Sequence, residues 1–365
     1  MINLKICVYA ICKNEEKFVD RFCESVKDAD GVYVLDTGSS DDTIARLENH
    51  GVNVTQKIID PWRFDVARNL SLELVPEDYD VCVCLDLDEV LEKGWKDIIL
   101  NNWQNDTTRL RYNYIWRYDE YGNPSVNFLA DKIHARKNYK WVNPVHEILS
   151  YNGEEKFITC ENLTISHYPD NNKSRSSYLP LLELAVKEDP TNDRNTHYLG
   201  REYMYYQKWN EAIDMLIRHL NLPNATWKDE RCASMRFIAR CYKNLNRFEE
   251  AKMWLNKAIL EAPYLRDPYV ETALLYYQLR DWNNVIKYCN DALKIESHAK
   301  SYINETFSWD YTIYDLLSIS YYNIGNYNKS KEYVDKAIIM APNDERLKNN
   351  KIIIEKKLVN DVKPN

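Results

Sequence analysis

Residues 81–85, Val-Cys-Val-Cys-Leu, form a short apolar run that ends abruptly in Asp86, Leu87, Asp88 and Glu89. Five apolar residues bounded by charge are too few for a helix and suit a buried strand. A buried strand that delivers carboxylates at its C-terminal end is how an open α/β sheet presents a ligand site. Two aspartates one residue apart can share a hard divalent cation, because carboxylate oxygens suit Mg²⁺ and Mn²⁺. The same residues would also serve as an acidic cap on the next helix, and the Asp-x-Asp pattern alone does not separate the two.

The first half of the chain alternates strand and helix. Residues 4–11 read as a strand, and 15–26 as a helix through the spacing of Phe18, Phe22 and Val26. Residues 31–35 form a second strand, followed by the turn and N-cap residues Asp36-Thr37-Gly38-Ser39-Ser40-Asp41-Asp42-Thr43 and a helix to about residue 50. A third strand over 52–59, a helix over 65–74 and the strand at 81–85 complete a pattern that predicts a mostly parallel sheet with helices on its faces. Three further strands, 110–118, 126–135 and 157–165, with little helix between them, predict a mixed or antiparallel extension.

From about residue 195 the pattern is helical and repeats. Trp209-Asn210-Glu211-Ala212, Phe248-Glu249-Glu250-Ala251, Trp282-Asn283-Asn284-Val285 and Tyr327-Asn328-Lys329-Ser330 each place an aromatic three residues before a small or apolar one. The small positions 212, 251, 285 and 330 are 39, 34 and 45 residues apart. The middle spacing equals the tetratricopeptide period, and the others require insertions, the last of them in the polar stretch 297–307. Such repeats stack into a curved solenoid with a concave surface. Tyr205, Tyr206, Tyr276, Tyr277, Tyr321 and Tyr322 are expected between packed helices.

Composition narrows the function classes. A formal net charge of −8 argues against a nucleic-acid backbone or an anionic membrane as the main partner. Nine cysteines, an odd number with no zinc-type Cys-x-x-Cys pair, read as reduced thiols in a cytoplasmic protein. The N-terminus reads as a strand and not as a signal peptide, and no apolar run is long enough to cross a bilayer.

Loops that follow the parallel strands share one crevice. Here they carry Asn14, Glu15 and Glu16, then Asp36 and Thr37, then Arg63 to Asn69, then Asp86 and Asp88. An acidic residue for a nucleobase or ribose, a basic residue (Arg68) for a diphosphate and a metal-type acidic pair together suit a nucleotide diphosphate with its cation. Arg68 is equally placed to pair with Asp65 or Glu73 on its own helix. Neither the Gly-x-Gly-x-x-Gly of a dinucleotide fold nor the P-loop pattern is present.

Taken in order, Ala10 to Glu16, Asp36 to Thr43, Phe64 to Asn69, Leu85 to Glu89, Val145-His146-Glu147 and Ile165-Ser166-His167-Tyr168 resemble the motif set of family 2 glycosyltransferases of the GT-A fold. The resemblance is to the branch with a C-terminal tetratricopeptide region, which includes sublancin-type peptide S-glycosyltransferases. It implies an α/β GT-A domain over 1–172, a linking helix over 173–194 and an all-α tetratricopeptide-like solenoid over 195–360. It further implies Asn14, Glu15, Asp36, Thr37, Arg68 and Asp86 at the donor, with Asp36 on the nucleobase and Asp86 by the ribose. Asp88, His167 and Asp86 would hold Mn²⁺ or Mg²⁺, the imidazole favouring manganese. Family 2 enzymes invert the anomeric centre, and that displacement needs a base and a cation for the departing diphosphate. Glu147 or His146 would be the base, although the Glu-Asp pair of many members is missing, and either could instead pack the loop.

The expectation is a metal-dependent inverting transferase moving a sugar from a nucleotide-diphosphate donor, a UDP-sugar, to a hydroxyl or thiol of a peptide, protein or glycan. The repeat region would hold the acceptor or mediate a homodimer. The alternative is a non-catalytic repeat scaffold with a nucleotide-sugar-binding domain.

Overall fold

A computed structural model describes residues 4–119, 122–170, 177–298 and 301–361. The chain divides into two compact units, Met1–Glu188 with Lys300–Tyr302, and Asp189–Ala299 with Ile303–Asn365.

The first unit opens with β1 (Ile6–Cys12), α1 (Val19–Val26), β2 (Gly31–Asp36), α2 (Thr43–Asn49), β3 (Asn53–Gln56), α3 (Phe64–Glu73) and β4 (Val81–Cys84). It continues with β5 (Glu89–Leu91), α4 (Trp95–Asn102), β6 (Arg109–Tyr118), β7 (Pro124–Ala135), β8 (Tyr139–Val142), β9 (Ile148–Tyr151), β10 (Phe157–His167) and α5 (Tyr178–Glu188). Strands line up in the order β3-β2-β1-β4-β7-β6-β10-β5, while β8 and β9 form a separate hairpin. The first four strands are parallel; β7 is antiparallel to both β4 and β6. This is the mixed sheet that the sequence pattern predicts, with β5, α4 and the hairpin as elements it does not reveal. Within 173–194, α5 covers 178–188, and residues 171–176 lie outside the described residues.

Alternation along β1 explains how helices come to lie on both faces. Ile6, Val8 and Ala10 pack with Phe22 and Val26 of α1 and with Trp95 and Ile99 of α4. Cys7 and Tyr9 face the other way, toward Leu72 and Val75 and the hairpin residues Trp141 and Leu149. Cys82 and Cys84 of β4 join them, so small thiols line the face on which the hairpin lies. Helix α1 buries Val19, Phe22, Cys23 and Val26, one helical face. It starts later than the sequence suggests because residues 15–18 close a turn, with the Phe18 amide donating to the Glu15 carbonyl at 2.9 Å.

The second unit consists of α6 (Asp193–Tyr205), α7 (Trp209–Asn221), α8 (Lys228–Asn244), α9 (Phe248–Glu261), α10 (Asp267–Gln278), α11 (Trp282–Leu293), α12 (Thr312–Asn323), α13 (Tyr327–Met340) and α14 (Glu345–Asp361). The four aromatics of the repeat pattern are the first residues of α7, α9, α11 and α13. Their partners Ala212, Ala251, Val285 and Ser330 are all fully buried, which is why each is small or compact. Two residues before each aromatic stands a left-handed residue: Gln207, Asn246, Arg280 and Gly325. The next amide then reaches back to a tyrosine carbonyl, Lys208 to Tyr203, Arg247 to Tyr242, Asp281 to Tyr276 and Asn326 to Tyr321, at 2.9–3.0 Å. One Schellman-type corner thus recurs four times. Gly200 permits close approach of α6 and α7, since a Cβ there would lie 2.6 Å from Leu216 Cγ. The expectation that the tyrosines pack between helices holds for Tyr321 and Tyr276 but not for Tyr205 and Tyr206, exposed at the α6 corner, or for Tyr277, exposed near the end of α10.

Candidate functional site

The C-terminal ends of β1 and β2 form one wall. Asp36, the last residue of β2, is fully buried. Its Oδ1 accepts from the Gly38 and Ser39 amides at 2.9 Å and from Gln56 Nε2 at 3.1 Å, and its Oδ2 accepts from the Ser39 hydroxyl. Burial disfavours the charge, but the Ser39 hydroxyl and the Ser39 and Gly38 amides outweigh it and hold the carboxyl below its ordinary value. Thr37 donates through Oγ1 to the Cys12 carbonyl at 3.0 Å. Asn14 takes a left-handed backbone, φ 54°, and its Oδ1 accepts from the Ser40 amide at 2.8 Å. Glu15 is buried beside it, its amide donating to Thr43 Oγ1 at 2.8 Å. The structure therefore brings together Asn14, Glu15, Asp36 and Thr37.

Arg68, buried on α3, gathers a second group. Its Nε donates to Glu147 Oε1 at 3.0 Å and a terminal nitrogen pairs with Asp86 Oδ1 at 2.7 Å. The guanidinium lies 5.6 Å from the Trp141 ring centroid. Its partners are not Asp65 or Glu73: Asp65 is taken by Arg63. The other oxygen of Asp86 lies 3.3 Å from Lys132 Nζ, which also lies 3.3 Å from Glu89 Oε1. Burial alone would raise the Asp86 value; Arg68 and then Lys132 reverse that and hold it well below the carboxylate range. Lys132 was not singled out from the sequence, and Glu89 was given no partner there. A lysine on a strand reads as solvent-facing, and the signal that places it here is the register of β7 against β4, which sequence periodicity does not carry.

A three-step chain of hydrogen bonds fixes this wall. Trp141 Nε1 donates to Tyr9 Oη at 2.9 Å, Tyr9 Oη lies 2.8 Å from His134 Nε2, and His134 Nδ1 lies 2.8 Å from the Ala135 carbonyl. Asn69 clamps the Trp141 backbone from both sides, donating to its carbonyl at 2.9 Å and accepting from its amide at 2.8 Å. The loop between β8 and β9 is held at Pro144, whose carbonyl accepts from the Phe64 amide at 2.9 Å. That loop carries His146, in a left-handed backbone with its ring 5.8 Å from Tyr178, and Glu147.

A third group joins the turn after β4 to the end of β10. His167 Nε2 lies 3.5 Å from Asp88 Oδ2. The imidazole stacks on Trp116, centroids 4.4 Å apart, and Nδ1 lies 3.2 Å from the Trp116 carbonyl. The Tyr168 amide donates to the Asp88 carbonyl at 2.8 Å. A carbonyl only accepts, so Nδ1 carries a proton, and in the neutral ring Nε2 turns its lone pair toward the carboxylate. Two such atoms face each other favourably only with a proton or a cation between them. Burial lowers the His167 value, but Asp88 outweighs it, leaving it raised. Asp86, expected as a third ligand, turns its carboxylate to Arg68 and Lys132 instead. The donor set brought together here is therefore Asp88 and His167.

Residues 7–152 match the family described as Glycosyl transferase family 2, and residues 237–264 and 311–344 match Tetratricopeptide repeat. The chain is 26% identical over 299 residues to the SPbeta prophage-derived glycosyltransferase SunS of Bacillus subtilis, covering 77% of this chain and 68% of that one. It is 33% identical over 100 residues to an uncharacterized glycosyltransferase of Rickettsia bellii, covering 27% of this chain and 33% of that one. It also aligns with the crystal structure of MamA at 18% identity and a TM-score of 0.38, covering 49% of this chain and 99% of that one. The family match and the relatives agree on a glycosyltransferase. The family 2 match lies within its first unit, and two stretches of its second match tetratricopeptide repeats.

Proposed function

We propose that the protein is a metal-dependent inverting glycosyltransferase that uses a UDP-sugar and transfers the sugar to a hydroxyl or thiol of a peptide or protein. The observation that carries this reading is the Asp88–His167 pair, one carboxylate oxygen and one imidazole nitrogen 3.5 Å apart at the mouth of the sheet, with the ring oriented by the Trp116 carbonyl. That donor set suits Mn²⁺. A divalent cation bound there would carry the charge of the departing diphosphate.

The remaining roles follow from charge and position. Asp36, kept ionised by its amide and hydroxyl donors, takes the nucleobase, with Asn14, Glu15 and Thr37 beside it. Asp86 faces the ribose, and Arg68 and Lys132 supply positive charge beside the diphosphate. A guanidinium shared between Asp86 and Glu147 can exchange one carboxylate for phosphate oxygens as the donor enters. Glu147 is then released to take the acceptor proton, while His146 shapes the loop around it. The buried thiols, nine of them free, support a reducing, cytoplasmic setting. Mn²⁺-dependent hydrolysis of UDP- and GDP-sugars, measured with and without candidate peptides, tests the reading. Asp88→Ala is expected to abolish release of sugar with an unchanged circular dichroism spectrum. Normal turnover in that variant would exclude a role for Asp88 in metal binding.

A further inference from the structure

Three side chains in the second unit converge without any part in the sugar-transfer site. His197 lies on α6, His219 in the last turn of α7 and Glu230 in the first turn of α8, and all three are buried. One nitrogen from each imidazole and one Glu230 oxygen lie within 4.8 Å of one another. His219 Nε2 and Glu230 Oε1 are 3.3 Å apart. Neither imidazole Nε2 has a hydrogen-bond partner among the described residues. Buried polar atoms without partners are uncommon and call for a physical reason.

Ser234, one turn beyond Glu230 on α8, supplies that reason. Its Oγ lies 2.7 Å from His197 Nδ1 and 2.9 Å from His219 Nδ1. A hydroxyl oxygen has two lone pairs and can accept from both rings at once. With Ser234 accepting from both rings, both Nδ1 atoms carry the protons and both Nε2 atoms keep their lone pairs, that of His219 3.3 Å from Glu230 Oε1. A ligating histidine whose other nitrogen donates to a fixed acceptor is the arrangement that orients imidazoles on a metal. Burial disfavours a charged imidazole, and the neutral ring is the form that binds metal. Nearby Arg194 and Arg201 act in the same direction on His197 and oppose any cation, whereas Glu230 favours one.

We propose that His197, His219 and Glu230 form a second divalent-cation site, of the zinc class, that ties together α6, α7 and α8 at the start of the repeat array. Two imidazoles and one carboxylate are a zinc-type donor set and a poor one for Mg²⁺. The site would be structural, raising the stability of the repeat unit in proportion to its occupancy.

The test uses the whole 365-residue chain carrying Asp88→Asn and His167→Ala, so that the site in the first unit contributes no zinc. After treatment with a chelator, Zn²⁺ is expected to bind with a stoichiometry of one per chain and to raise the melting temperature. Co²⁺ in the same chain is expected to give the visible d–d bands of a nitrogen-ligated site, a readout that needs no change in the repeat helices. Adding His197→Gln and His219→Gln is expected to abolish both signals, and Ser234→Ala to weaken zinc binding by about 10–100-fold. An absence of stoichiometric zinc together with an absence of cobalt bands would overturn the proposal. So would undiminished zinc affinity in the double glutamine variant.

Discussion

Arg68 sits almost fully buried with Asp86 on one side and Glu147 on the other, and Lys132 is the next cation along. Removing one partner of a buried ion pair leaves its counter-charge uncompensated, which costs more than the pair contributes. Arg68→Leu is therefore expected to destabilise the first unit by about 3–5 kcal/mol, read from urea unfolding. Arg68→Leu/Asp86→Leu should recover part of that loss, and a double mutant no better than the single would refute the coupling. Several of these residues were legible in the sequence because they end strands or open loops: Asp36, Asp86 and Asp88 each follow an apolar run. Lys132 was not, because its role depends on which strand lies beside β7. The partners of Arg68 were also hidden, since Glu147 is brought to it by the separate β8–β9 hairpin and not by helical spacing.

Among the elements, the four repeat corners share one backbone demand. Gly325 meets it at φ 80° with no atom within 4 Å of an added Cβ, while Gln207, Asn246 and Arg280 meet it at φ 56–58° with side chains. A left-handed residue other than glycine costs about 1–2 kcal/mol, offset in part by the entropy glycine loses on folding. Arg280→Gly and Gln207→Gly are each expected to raise stability by about 0.5–1 kcal/mol, and Gly325→Ala to lower it by a similar amount, measured by thermal or urea melts. The aromatic that opens the second helix of each pair made these corners visible in the sequence. Strands β5, β8 and β9, at three or four residues each, were too short for period-two alternation to mark. Helix α4 was hidden for a different reason: only Trp95 and Ile99 of its eight residues are buried, so its apolar face is narrow.

For the whole molecule, acid sensitivity follows from histidines sealed in neutral form. Burial holds His134 and His197 at about 3, against about 6.5 in an unfolded chain. Between those values the unfolded state binds more protons than the folded one, so stability rises with pH and levels off above about 6.5. Each residue contributes a slope of about 1.4 kcal/mol per pH unit within the window. His167, whose value is raised, stabilises the metal-free protein below about 6.5 and loses that contribution as pH climbs through its folded value; it adds no slope within the acid window. The slope of unfolding free energy between about pH 4.5 and 6 should flatten in His134→Gln, and an unchanged slope would show that His134 titrates freely.

The alternation of strand and helix followed by helical repeats made the two-part organisation legible from the chain itself. Sheet order, with β7 between β4 and β6, required the structure. The central claim is that Asp88 and His167 together hold a cation on which nucleotide binding depends. Calorimetric titration of UDP into the unmodified protein and into His167→Ala, each with Mn²⁺ and with a chelator, tests it most directly. The account predicts UDP affinity at least about tenfold higher with Mn²⁺ in the unmodified protein, and the same low affinity under both conditions in His167→Ala. UDP binding that ignores Mn²⁺ in the unmodified protein, or a full Mn²⁺ dependence surviving in His167→Ala, would contradict it.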